Sequence, residues 1–272
     1  MTGAPTGATH LAGVIGWPVR HSRSPDIHNA AYRALGLDWI YVALPVPPGH
    51  VPDALAGMRA LGIEGLSVTM PHKAAVAAAV DALTADAAAL GAVNSVRRDG
   101  ERLVGDNTDG GGFVDSLRDA GVDASGRRCV VLGAGGAARA VIRALATAGA
   151  SQVVVVNRDA SRAETAAALA GACGTTGTHD DLRTAELLVQ ATPVGMGDDQ
   201  TLAADPGLLP DGAVVADLVY HPLVTPLLAA ASERGLTTVD GLGMLVHQAA
   251  RQLHAWTGAE PPIGVMRDAA GA

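Results

Sequence analysis

Residues 128–162, RCVVLGAGGAARAVIRALATAGASQVVVVNRDASR, restrict the possible folds more than any other stretch of the chain. The apolar run at 129–132 has the length and valine content of a buried parallel strand. It breaks into Gly133, Gly135, Gly136 and Ala138, and the apolar spacing of Val141, Ile142, Leu145 and Ala148 then predicts a helix. Gly149 stands where a helix C′ glycine belongs, and 153–156 read as the next strand. This is one βαβ unit with a G-x-G-x-x-A loop between strand and helix: Gly133 for the tight turn, Gly135 for close approach of a pyrophosphate, Ala138 for helix packing. A pyrophosphate there would meet free backbone N–H groups at a helix N-terminus. A unit built for NAD places Asp or Glu after the second strand, to hold the ribose hydroxyls. Here Asn157 and Arg158 follow, with Arg162 four residues on. A guanidinium suits a 2′-phosphate and can stack on adenine, so these residues favour NADP over NAD, while the neighbouring Asp159 is a charge that would repel that phosphate.

A chain of 272 residues can bury a large core and reads as two domains. No apolar run reaches the ~18 residues of a membrane span. The opening MTGAPTGATH lacks the basic and apolar regions of a signal peptide. Cys129 and Cys173 form no C-x-x-C pair, which fits a reduced cytoplasm, and the nine histidines show no ligand spacing, so no metal is expected. A formal charge of −8 argues against nucleic acid or an anionic membrane as partner. Of the 19 basic residues only Lys73 is lysine. Lysine differs from arginine in having an ammonium whose pKa can fall far enough to trade protons, so Lys73 is a candidate for chemistry; chance placement on a surface is the plain alternative, and its neighbours must decide.

The first part of the chain repeats strand, short loop and helix three times. Strands are expected at 11–16, 39–46 and 63–69, with helices at about 24–35, 51–61 and 73–80. Ser24 reads as an N-cap with Pro25 at the first helical position. Such repetition makes an α/β unit with a parallel or mixed sheet, whose ligands bind beyond the carboxyl ends of the strands. Ser22, Ser24, Thr69 and Lys73 all fall just past such ends and are expected to converge on one edge. A helix at 84–90 is followed by a hairpin, 93–97 with 102–104 across Asp99-Gly100, flanked by Asn94 and Asp109. The segment opening at Asp109 predicts a helix crossing into the dinucleotide domain. Beyond the βαβ unit, a helix is expected at 161–171 and strands at 187–190, 214–218 and 237–239. The helix at 243–256 carries Gln248, and the tail after Pro261 is expected to be mobile.

Taken in order, GVIGWPVRHSRSPDIHN, GLSVTMPHK, GDNTDG, GAGGAAR, the Asn-Arg pair, ATPVGM, DLVYHP and DGLGMLVHQAA resemble the shikimate dehydrogenase family over nearly the whole chain. The resemblance implies a cytoplasmic NADP-dependent oxidoreductase, monomer or homodimer, that interconverts 3-dehydroshikimate and shikimate on the way to the aromatic amino acids. It implies a substrate domain over 1–110, a Rossmann-type NADP domain over 111–240 and a C-terminal helix region over 241–272 returning to the first domain, with the site in the cleft between domains. By the same resemblance Ser22 and Ser24 hold the substrate carboxylate, Thr69, Asn94 and Gln248 contact its hydroxyls or carboxylate, and Tyr220 lines the carboxylate side. Lys73 and Asp109 are implied as the catalytic pair. Gly133, Ala134, Gly135, Gly136, Ala137, Asn157, Arg158, Arg162, Thr192, Leu218 and Gly241 are implied around the cofactor.

Each residue taken alone also has a plain reading: capping for Ser24, an ion pair for Lys73 with Asp109, turn or surface positions for the others. Two residues depart from the family pattern. Ser67 stands where many members have Asn, and Asp159 stands where small hydroxyl residues are common. These departures motivate an alternative substrate, quinate or an amino analogue of shikimate, with NAD. A catalytically silent ligand-binding module is the reading from another class.

Overall fold

Two six-stranded sheets organise residues 4–271, which the computed structural model describes; residues 1–3 and Ala272, the ends of the expected first domain and C-terminal region, lie outside the described residues. The chain divides into two compact units, one running to Thr108 and resuming at Gln248, the other spanning Asp109–His247.

In the first unit the order is β1 (His10–Gly16), α1 (Ser24–Ala34), β2 (Trp39–Pro45), α2 (Val51–Ala60), β3 (Gly65–Val68), α3 (Lys73–Ala77), β4 (Ala82–Leu83), α4 (Ala85–Leu90), β5 (Ser95–Asp99) and β6 (Arg102–Asp106). The sheet is mixed, in the order β2-β1-β3-β5-β6-β4. β1 lies between β2 and β3, parallel to both, and β3 continues into the antiparallel β5–β6 hairpin. Ile15, Leu55, Met58, Leu66, Val76, Val96 and Leu103 bury between the sheet and its helices. At Tyr41 the outer edge of β2 is closed by a side chain: Asn29 donates to its carbonyl (2.8 Å) and accepts from its N–H (2.9 Å). That satisfies backbone groups which an edge strand otherwise leaves open.

The second unit contains α5 (Asp109–Asp119), β7 (Arg128–Leu132), α6 (Gly136–Thr147), β8 (Gln152–Val156), α7 (Ala160–Ala167), β9 (Gly174–Thr176), β10 (Leu187–Gln190), β11 (Val214–Asp217), α8 (Pro226–Glu233) and β12 (Thr237–Val239). Its strands all pair in parallel, in the order β12-β11-β10-β7-β8-β9. Counted from β7, this is the doubly wound 3-2-1-4-5-6 order, with the switch point between β7 and β10. Valine and alanine dominate one core cluster and leucine, with valine and alanine, the other, as the near absence of aromatics requires. The fold is thus α/β, a smaller mixed-sheet unit joined to a Rossmann-type one. α9 (Gly241–Thr257) carries the chain back into the first unit, which ends with α10 (Ile263–Ala269).

Four expectations need correction. The tail after Pro261 is ordered: α10 packs against α1 and buries Met266 completely, an anchor that its shortness and flanking prolines concealed. Ser24 is not the N-cap of α1 but its first residue; Arg23 holds the cap position, and the nearest side-chain acceptor is Ser22 Oγ, 3.2 Å from the Ser24 N–H. α3 stops at Ala77, because Ala78–Asp81 turn to deliver β4 alongside β6. The helix expected over 161–171 is α7 to Ala167, followed by a 3-10 stretch over Ala168–Cys173 in which Gly171 adopts φ 61°. Three short elements, β4, β9 and α8, carry too little periodicity to be read in advance.

Candidate active site

In the first unit the ends of β1 and β3 are joined beyond the last ladder pair. The Thr69 N–H donates to the Ile15 carbonyl (3.0 Å) and the Trp17 N–H to the Met70 carbonyl (3.0 Å). Gly16 permits this closeness, since a Cβ there would sit 2.4 Å from Thr69 Cγ2. The loop carrying Ser22 and Ser24 thus leaves β1 beside the loop that carries Thr69 and Lys73. Lys73 opens α3 and is held from both sides. The buried His72 before it places a ring nitrogen 2.7 Å from the Val46 carbonyl, and the Lys73 carbonyl accepts the Val93 N–H at 2.9 Å.

That second bond brings in Asn94, whose own carbonyl accepts the Val68 N–H (2.8 Å). The Asn94 carboxamide is fixed by Thr108: its Oδ1 accepts the Thr108 N–H (2.8 Å) and its Nδ2 donates to Thr108 Oγ1 (3.0 Å). Thr108 Oγ1 also donates to the Gln248 carbonyl (3.1 Å), which ties α9 to the same cluster. The first unit therefore gathers Ser22, Ser24, Thr69, Lys73, Asn94 and Gln248 about the ends of β1, β3 and the hairpin. Asp109, the first residue of α5, and Tyr220 belong to the second unit.

Three residues of the first cluster are not singled out by the sequence reading: Tyr41, Gln252 and Thr108, the last lying within the GDNTDG motif. Tyr41 donates to Ser67 Oγ (2.6 Å), and Ser67 in turn hydrogen-bonds Gln252 Oε1. Burial pushes the Tyr41 phenol far up, against smaller opposing effects of its hydrogen bonds with Ser67 and Ser24. Gln252 lies one helical turn beyond Gln248, and that i,i+4 spacing is the one signal that could have marked it.

The second unit lines up its candidates at the carboxyl ends of β7, β8, β10, β11 and β12. Gly133 adopts φ +113°, and its N–H donates to the Val156 carbonyl (2.8 Å). A Cβ there would meet the Ala191 carbonyl at 3.0 Å and Thr192 Cγ2 at 3.1 Å. Gly135 caps α6 with no side-chain acceptor, and at Gly135 and Gly136 the Cβ positions open onto empty space. The first-turn N–H groups are thus available to an anion, with the helix dipole favouring one. Next to them a pocket of about 250 Å³ is lined by Ala134, Gly135, Gly136, Arg139, Ser161, Arg162 and Thr165. Ala137 follows, exposed, in the first turn of α6.

Arg158 is exposed at the end of β8, and Asn157 Nδ2 donates to the Asp159 carbonyl (3.0 Å). Asp159 caps α7, its Oδ1 accepting the Arg162 N–H at 3.1 Å. Its carboxylate is therefore engaged by a helix N-terminus, which offsets part of its charge. Thr192 is held by Gln190, whose Oε1 accepts both its N–H and its hydroxyl at 3.0 Å. Gly241 presses on Leu218: a Cβ would lie 2.5 Å from the Leu218 carbonyl oxygen. Asp217, raised by burial against hydrogen bonds from the Val219 N–H and Thr225 Oγ1, fixes the turn that leads to Leu218 and Tyr220.

Comparison with known proteins identifies relatives of this fold. Residues 14–96 match the family described as the shikimate dehydrogenase substrate binding domain, 117–193 that of shikimate / quinate 5-dehydrogenase, and 241–270 the shikimate 5′-dehydrogenase C-terminal domain. A Geobacter metallireducens protein named shikimate dehydrogenase (NADP(+)) is 46% identical over 274 residues, covering 96% of each chain. The crystal structure of shikimate 5-dehydrogenase from Thermus thermophilus, in complex with NADP(H) and shikimate, superposes with a TM-score of 0.90 at 38% identity, over 96% of this chain and 98% of that one. Quinate dehydrogenase from Corynebacterium glutamicum, in complex with NAD, superposes with a TM-score of 0.90 at 33% identity, over 96% and 98%.

Proposed function

The chain belongs to the shikimate dehydrogenase family, and from that premise we propose that it catalyses the NADP-dependent, reversible reduction of 3-dehydroshikimate to shikimate. The observation that carries the reading is the position of the chain's one lysine. Lys73 sits in the first turn of α3, beside the loop ends that carry Ser22, Ser24, Thr69 and Asn94.

The second unit fits the cofactor. The uncapped N-terminus of α6 and the side-chain-free faces of Gly135 and Gly136 suit a pyrophosphate, and Arg158 and Arg162 suit a 2′-phosphate, with Asp159 turned to its own helix. When bound, the cofactor supplies hydride transfer to and from a carbon. The chain's own residues do the rest in this reading. Ser22 and Ser24 hydroxyls donate to the substrate carboxylate without adding charge, aided by the start of α1. The Lys73 ammonium stabilises negative charge developing on the carbonyl oxygen and delivers the proton that completes the alcohol. Asp109 keeps the ammonium and the substrate hydroxyl in register. In the oxidation direction Lys73 takes that proton back.

A second reading, turnover of quinate or an amino analogue with NAD, is favoured by the likeness to the NAD-bound quinate dehydrogenase and by Ser67. Initial rates with shikimate, quinate and aminoshikimate, each with NADP and NAD, separate the two. Shikimate with NADP should lead in kcat/KM by at least ~10-fold, a difference of about 1.4 kcal/mol in the barrier. Equal or better turnover of quinate with NAD would overturn the first reading.

A further inference from the structure

A run of hydrogen bonds crosses the interior of the first unit through Tyr41, Ser67 and Gln252, which are 1%, 6% and 1% exposed, to Gln248. Tyr41 donates to Ser67 Oγ, Ser67 donates to Gln252 Oε1, and Gln252 Nε2 donates to Gln248 Oε1 at 2.9 Å. Such a chain could in principle run either way, because a carboxamide turned end for end occupies the same space. One neighbour removes the freedom. Gln252 Nε2 also lies 3.3 Å from the backbone carbonyl of Asn94, an atom that can only accept. With Gln252 reversed, two oxygens would face each other at 3.3 Å with no proton between them, and the Asn94 carbonyl would keep only its bond from the Val68 N–H. The amide nitrogen therefore stays toward Asn94. Ser67 must then supply the proton to Gln252 Oε1, and Gln248 must meet Gln252 with its oxygen.

We infer that Gln252 is a positioning residue for substrate recognition: by holding the Gln248 oxygen it turns the Gln248 amide N–H2 outward, so that Gln248 meets a substrate oxygen as a hydrogen-bond donor. The inference rests on the proposed reading, in which Gln248 contacts substrate. It also gives the unusual Ser67 an interior task. Its lone proton is committed to Gln252 and one lone pair of its oxygen to Tyr41, so it sets the relay and has no proton left to donate to the substrate.

The test uses two variants of the full chain. Gln252→Glu keeps the shape but cannot donate, so Gln248 turns over and presents its oxygen. Gln252→Met keeps the volume and releases Gln248. The shikimate KM should rise at least ~10-fold in the Glu variant, the scale of one good hydrogen bond lost, and less in the Met variant. In both, the NADP KM should stay within ~2-fold, and kcat should fall less than the shikimate KM rises. A merely structural role would lower the melting temperature without splitting the two KM values. The inference is overturned if the shikimate KM is unchanged in both position-252 variants, or if both KM values rise together. If the Glu variant does not fold, the Met variant decides. Failure of the functional reading is separately visible as wild-type protein that leaves shikimate unturned. In that case NMR of the substrate-free protein still reads the relay: the Gln252 side-chain N–H2 should exchange slowly with solvent, and fast exchange would overturn it.

Discussion

Lys73 shows how much a single residue can disclose when composition is biased. Against 18 arginines, a lone lysine at a strand's carboxyl end is legible as a candidate for proton transfer, because a guanidinium cannot give up its proton. Lys73→Ala should lower kcat by at least ~10²-fold with little change in the shikimate KM, as measured by steady-state kinetics; near-normal turnover would remove Lys73 from the chemistry. Gln252 is the opposite case. Glutamine on an amphipathic helix reads as surface, yet the packing of α9 leaves it 1% exposed and surrounded by Ser67, Asn94, Thr108 and Gln248. No spacing in the sequence states that those four segments meet there. Asp159 reads as a threat to the phosphate because its charge is visible in the sequence while the direction of its carboxylate, into the first turn of α7, is not.

At the level of elements, strong periodicity and glycine punctuation placed β7, α6, β8 and α9 to within a residue or two, and weak segments were lost. α10 is not legible in the sequence because seven residues after two prolines carry no sustained pattern; its stability comes from Met266 packing in the first unit. The α5–α6 pair shows what close packing of elements demands. A Cβ at Gly110 would lie 2.4 Å from the Ala140 carbonyl oxygen and 2.8 Å from Ala144 Cβ, so α5 can approach α6 only through a glycine. Gly110→Ala should therefore destabilise the protein by about 1–3 kcal/mol despite alanine's better helix propensity, because backbone must shift. Urea unfolding reads this directly. An unchanged or higher midpoint would mean that the pair relaxes freely.

For the molecule as a whole, acid stability has an identifiable contributor in the first unit. His28 is completely buried, stacked on Tyr41 (ring centroids 4.3 Å, interplanar angle 3°) and on Trp256 (5.3 Å, 27°), and neither ring nitrogen has a partner among the described residues. Burial pushes its pKa down from 6.5 to about 3. Between those values the unfolded chain takes up a proton that the folded chain refuses, so stability is complete above pH 6.5 and drains away as the pH falls toward 3. The slope from this one group is about 1.4 kcal/mol per pH unit in that window. His28→Phe should flatten the loss of stability between neutral pH and pH 5, measured by urea unfolding at each pH; equal losses in wild type and variant would assign the acid sensitivity elsewhere.

The sequence by itself determined the βαβ unit, the order of strands and helices around it, the dinucleotide loop and the loop ends where chemistry could gather, because periodicity, glycine and proline act over a few residues of chain. Family membership was legible for the same reason, being carried by short motifs in order. Only the tertiary structure decided what faces what. It set the strand order β12-β11-β10-β7-β8-β9, the glycine contacts at Gly16, Gly110 and Gly241, and the direction of hydrogen bonding from Tyr41 through Ser67 to Gln252. Those depend on pairs of segments up to 185 residues apart, whose meeting is fixed by the burial of whole faces and by the pairing of most buried donors with acceptors, and neither is written in any local stretch.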